Sequence, residues 1–178
     1  DFARGMVAHH RGAIDACAVF LRHAGESADP AMVHFCKSHV GPAQASEVDL
    51  LTRWLTSKGH ALTAPGCDSA GEMACGDLSC EASRRTKMAN MRMHGEMAIA
   101  FSADASVDFA RSMLPHHEGA LAMCEILFDF GSDPALLGLC GRIVPAQSLE
   151  IGELSNWLLL RGNGTLARCT SRSLLSSG

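Results

Sequence analysis

The chain has 178 residues, 47% of them apolar and 5% aromatic with no Tyr, and carries a formal net charge of −4 at pH 7. That length accommodates one domain or two fused half-domains, and a core left to Leu, Ala, Met, Val and Phe suits helices better than sheets. The weakly acidic balance argues against nucleic acid as a partner, and no apolar run approaches the ~20 residues that span a bilayer.

From Asp1 the chain is already in helical pattern, so we expect residues ahead of it to have been processed away. Phe2, Met6, His9, Ala13, Ala16 and Phe20 step by three and four, beside a second seam of Ala3, Val7, His10, Ile14, Cys17 and Leu21. A turn near Glu26 follows. Asp29-Pro30 then supplies an N-cap with proline at the first helical position, and a second helix is predicted to about Ser57. Residues 58–83 form a Cys-rich link without periodicity. A Met-rich helix is predicted over Arg84–Phe101, within a unit spanning 84–103.

The first hairpin then recurs. "DFARGMVAHHRGAIDAC" (Asp1 to Cys17) aligns without gaps on "DFARSMLPHHEGALAMC" (Asp108 to Cys124), "DPAMVHFC" on "DPALLGLC", and "PAQASEVDLLTRWL" on "PAQSLEIGELSNWL". The repeats are thus residues 1–57 and 104–161, the second turning near Ser132 and starting its return helix at Asp133-Pro134. Pro42 and Pro145 lie inside the return helices and should kink them. The first copy has one extra residue around Gly41, which fits a local bulge. Residues 162–178 are a Ser- and Gly-rich tail. Two hairpins joined by a long link are most simply buried as an all-α four-helix bundle, with the Met-rich helix in the connection and one compact domain as the result.

Height along the antiparallel helices assigns partners. Cys17 and Cys36 flank the first turn by nine and ten residues, and Cys124 and Cys140 flank the second by eight each. Disulfides Cys17–Cys36 and Cys124–Cys140 are therefore predicted. Cys67, Cys75, Cys80 and Cys169 would supply two further bridges of open pairing, a four-thiolate zinc site being the alternative. Eight cysteines so arranged point to an extracytoplasmic location: secreted, periplasmic or within an organelle lumen.

The same arithmetic sets His9 and His10 level with Gln44 and Glu47, and His116 and His117 level with Gln147 and Glu150, with Met6 and Met113 one turn away. Imidazoles and carboxylates on apolar seams need partners. Either they form a hydrogen-bond network that fixes register, or His9, His10, His116 and His117 bind a metal while Gln44, Glu47, Gln147 and Glu150 fix their tautomers from behind. The Met-rich helix adds Met93, His94 and Met97 beside Met88 and Met91. Thioether with imidazole favours copper, above all Cu(I). As ordinary packing, the same helix would instead bury Met91, His94, Ala98 and Phe101.

The paired phrases "GMVAHHRGAIDAC…PAQASEVDLLTRWL" and "SMLPHHEGALAMC…PAQSLEIGELSNWL" resemble the domain of unknown function 305 family over Asp1 to about Arg161. The resemblance implies a ferritin-like helical bundle, usually exported, with a role in copper binding or tolerance. It implies that His9, His10, His116 and His117 are ligands, with Met6, Met113, Met93, His94 and Met97 as further soft ones. The Pro before each Ala-Gln, the Cys-rich link and the two bridges depart from the family pattern. No Glu-x-x-His pair occurs, so di-iron chemistry is not implied. No nucleophile–base arrangement points to an enzyme. The expected function is copper storage or delivery. The alternative is a disulfide-held structural or accessory subunit of a larger assembly, with a protein partner and a vestigial metal site.

Overall fold

The structure, a computed structural model, describes residues 2–62 and 79–162. Its helices are α1 (Phe2–His23), α2 (Pro30–His34), α3 (Gly41–Ser57), α4 (Glu81–Met97), α5 (Ala105–Phe130) and α6 (Pro134–Leu160). A π-helical turn, Phe35–Val40, joins α2 to α3, so these two form one continuous rod. The described residues are thus all-α, in five rods and without strands. No helix among them is long and apolar enough to cross a membrane. The Met-rich helix is offset from its predicted span, starting three residues earlier and stopping at Met97. Cys67, Cys75 and Cys169, expected in bridges, and the tail beyond Gly162 lie outside the described residues.

The helix starts follow the expected chemistry. The Asp29 carboxylate accepts from the Ala31 amide at 2.8 Å, and Asp133 accepts from Ala135 and Leu136. Asp104 does the same for α5. Each cap satisfies amides that the first helical turn leaves unpaired.

α1 packs along α3 and α5 along α6, and the two hairpins meet where α1 crosses α5. α4 lies against α5. The hairpins run head to tail, so the turn of one meets the open end of the other, and the core divides into two apolar clusters. One joins Phe20, Phe35 and Val40 of the first hairpin to Phe109, Met113, Leu154 and Trp157 of the second. The other joins Met6, Val7, Leu51 and Leu55 to Met123, Leu127, Leu139 and Ile143. Phe20 and Phe109 stack at 4.7 Å across the hairpin boundary. Burying each such side chain contributes about 1.5–3 kcal/mol.

Both predicted disulfides form, Cys17–Cys36 and Cys124–Cys140, each with Cα atoms 5.4 Å apart. Each bridge sits in a different apolar cluster. Cys80 departs from expectation: it is an exposed free thiol rather than part of a bridge. It lies just ahead of α4, where no described cysteine comes within reach.

The two hairpins also close each other's turns. Asp29, at the first turn, takes a hydrogen bond from the Trp157 indole at 3.3 Å and pairs with Arg161, both from the end of the second hairpin. Asp133, at the second turn, pairs with Lys58 at 3.3 Å, from the end of the first.

The proline expectation separates the repeats. In α6, Pro145 sits within an uninterrupted helix. In the first repeat the extra residue is absorbed ahead of Pro42 as the π turn, where the Gly41 amide donates to the Cys36 carbonyl. A Cβ on Gly41 would stand 3.0 Å from that carbonyl oxygen, so the turn favours the residue without a side chain.

Candidate metal site

Between the two apolar clusters lies a polar waist: His9, His10, Gln44, His116, His117, Gln147 and Glu150, all buried. Glu47 joins it with its side chain 20% exposed. The height argument is correct for the second histidine of each pair. His117 Nε2 donates to Glu150 Oε2 at 2.8 Å, and His10 Nε2 lies 2.6 Å from Glu47 Oε2. The latter is an ion-pair contact off the ring's N–H direction, so His10 Nε2 has no hydrogen bond in the strict sense.

The first histidine of each pair does something the sequence reasoning missed. Neighbouring residues on a helix point about 100° apart, so His9 and His116 turn out of their own hairpins toward each other. Their rings stack at 3.8 Å between centroids and 26° between planes. His116 Nε2 lies 3.1 Å from the His9 carbonyl oxygen, which can only accept, so that nitrogen carries the proton. The doubled His-His phrase contained the signal: two adjacent positions cannot share one helix face.

The tautomers follow. With Nε2 of His116 and His117 donating, Nδ1 is the nitrogen left on each ring, and on the neutral His116 it holds a lone pair. Both Nδ1 atoms are buried without partners, as are His10 Nδ1 and His9 Nε2. The Gln44 amide and Gln147 Oε1 are equally unpartnered. Native interiors leave few such atoms unsatisfied, and a cluster of them calls for an ion or ordered water. Burial above all, then the neighbouring His116, holds the His9 pKa well below its usual 6.5. Burial and the nearby His117 lower His116 to about 3. Both rings are therefore neutral at pH 7, the form that binds metal.

The methionines divide. Met6 and Met113 are buried, each packed in one of the flanking apolar clusters, one helical turn before its His pair. Met93 is buried and comes from α4. A Cβ placed on Gly119 would meet Met93 Sδ at 2.6 Å and His9 Cε1 at 3.3 Å, so the thioether and the imidazole flank the same glycine. In the second repeat, Gly119 of the His-His-x-Gly phrase permits this close approach. His94 is exposed, near enough to His116 to act on its charge, and Met97 is partly buried. Met88 and Met91 face outward, and Phe101 is 87% exposed. The ordinary packing stripe of Met91, His94, Ala98 and Phe101 is therefore not what α4 buries.

Among the described residues no three His, Cys, Asp or Glu side chains converge as a metal cage. The donors gathered at the waist are instead unpartnered imidazole nitrogens, with the Met93 thioether beside His9, a soft set that fits Cu(I) or Ag(I) better than zinc or magnesium.

A family described only as a domain of unknown function, DUF305, matches residues 1–158. The chain belongs to that family. No curated protein matches the sequence. Among solved structures, the fold of this DUF305 chain resembles that of CopM. The Ag-bound form, obtained by soaking, is 22% identical at a TM-score of 0.62, covering 89% of this chain and 93% of that one. The Cu(I)-bound form gives 20%, 0.63, 90% and 94%. The Cu(II)-bound form gives 21%, 0.62, 90% and 95%. At that identity the likeness concerns the fold.

Proposed function

We propose that this protein binds copper as cargo, for storage or delivery, through buried imidazole and thioether donors, and performs no chemistry of its own. One observation carries the reading: the neutral rings of His9 and His116, each with a buried unpartnered nitrogen, stack where the two hairpins meet, and Met93 lies with His9 against the same glycine, Gly119. His10 and His117 stand behind them, each held by a carboxylate. The shared fold with copper- and silver-bound CopM supports the same reading. Two intramolecular disulfides support an oxidising, extracytoplasmic location. Met6 and Met113, set in the apolar clusters, shape the walls in this reading, and Met97 with His94 forms its rim.

The test is Cu(I) uptake by the full chain against a calibrated chelator, with metal analysis of natively purified protein. His9→Ala with His116→Ala should weaken Cu(I) binding at least tenfold, as should Met93→Leu, whereas Met88→Leu should leave it unchanged. If the wild type takes no Cu(I) from the chelator, the waist is a register-fixing hydrogen-bond network, and the accessory-subunit reading replaces this one.

A further inference from the structure

The π turn holds two histidines that the buried site does not use. His34 and His39 are five residues apart. On a regular α-helix that spacing would set them about 140° apart around the axis. The π turn closes its hydrogen bonds from i to i+5 and brings the two onto one face. Their ring centroids lie 5.4 Å apart in an edge-on arrangement. His34 is exposed and His39 half-buried.

Each ring has a neighbour at Nδ1. Ser38 Oγ lies 3.2 Å from His34 Nδ1, and Glu150 Oε1 lies 3.9 Å from His39 Nδ1. The Ser38 contact leaves Nε2 of His34 open to a ligand, and Glu150 places a carboxylate near His39 without a hydrogen bond to it. Phe35 stacks on the His39 ring at 5.8 Å, nearly parallel, and limits its rotation. The second repeat has Gly138 and Ile143 at the equivalent positions and lacks the inserted residue. The feature therefore belongs to the first repeat alone, and the common helical frame does not require it.

We propose that His34 and His39 form a second, solvent-facing metal site, a two-imidazole chelate for a borderline divalent ion such as Cu(II), with water completing the coordination. Imidazole pairs suit Cu(II), Ni(II) and Zn(II), whereas the thioether of the buried site suits Cu(I). A pair of histidines at i and i+4 on an α-helix is a familiar metal clamp, and i and i+5 on a π turn is its geometric equivalent. The site goes beyond the copper-cargo reading and does not depend on it.

The experiment is titration of the tag-free full chain with Cu(II), followed by electron paramagnetic resonance and calorimetry. We expect one Cu(II) equivalent with hyperfine structure from two imidazole nitrogens. His34→Ala or His39→Ala should each weaken it at least tenfold, and the pair should abolish it, with helicity by circular dichroism unchanged. His9→Ala with His116→Ala should retain it, so loss of Cu(I) binding and loss of this site read out separately. Deleting Gly41, which restores the second repeat's register, keeps both rings but should lose the chelate. Should that deletion disturb folding, the point substitutions decide. The proposal is overturned if the wild type binds no Cu(II), if the His34/His39 double variant binds it unchanged, or if only the His9/His116 variant loses it.

Discussion

The two repeats carry nearly the same phrase and reach the same His-to-carboxylate contact, yet each is modified at a different place. The first absorbs an extra residue as a π turn ahead of Pro42, whereas the second runs α6 straight through Pro145. The second also receives α4, whose Met93 is seated on Gly119, whereas a Cβ on the matching Gly12 would meet only His116 Nε2 at 3.7 Å. The waist draws on matching residues of both repeats, and the halves differ in what lies beside it: a thioether, Met93, against the second repeat, and an imidazole pair, His34 and His39, on the first.

The largest test of this equivalence is to open the bridges. Cys17–Cys36 spans 19 residues and Cys124–Cys140 spans 16, so chain entropy assigns each about 3 kcal/mol. Replacing either pair by Ala should lower the urea midpoint by similar amounts, and a bridge whose loss costs nothing would break the comparison.

Acid should act next, and on the hairpin crossing. His116 titrates near 3 when folded against an ordinary value of 6.5, and His9 also lies well below 6.5. The unfolded chain takes up these protons first, so their contribution is complete above about pH 6.5 and is lost as pH falls toward 3. The slope is at most about 1.4 kcal/mol per pH unit for each histidine. Urea unfolding at pH 7, 5.5 and 4 should show the decline, and His9→Phe with His116→Phe should flatten it.

A Cβ at Gly119 collides with Met93 and crowds His9, so Gly119→Ala should cost about 1 kcal/mol in thermal unfolding. Gly12→Ala meets only an ordinary contact and should be neutral or stabilising by about 0.5–1 kcal/mol. Equal effects would mean that α4 does not distinguish the halves. The smallest contrast is at the caps. Asp133→Ala should cost about 1 kcal/mol as a lost N-cap, and Asp29→Ala somewhat more, because Asp29 also holds Trp157 and Arg161.

Much of this was legible before any coordinates. Repeat spacing and Asp-Pro caps give the hairpins, equal distances from a turn give both disulfides, and similar heights within about a turn give the His10–Glu47 and His117–Glu150 contacts, because antiparallel helices of fixed rise leave little freedom. The opposite turning of His9 and His116 needs the angle between the hairpins, which no distance along one hairpin contains. Met6 and Met113 were placed one turn from the histidines correctly, but that turn carries them into the apolar clusters. α4 was harder: its methionines do not share one stripe, and only packing on α5 chooses Met93. The free thiol of Cys80 had no sequence signal, since counting cysteines in pairs says nothing about which thiol reaches which.

The crossed fastening of the turns has one more consequence. Each hairpin leaves its bend unfinished and completes the other's, so a single hairpin is half of a closed object. Two half-length chains pairing head to tail could make the same kind of contact at both ends, the Asp at each turn meeting the basic residue, Arg161 or Lys58, at the other chain's end. The fold thus closes only when both halves are present, whether in one chain or in two.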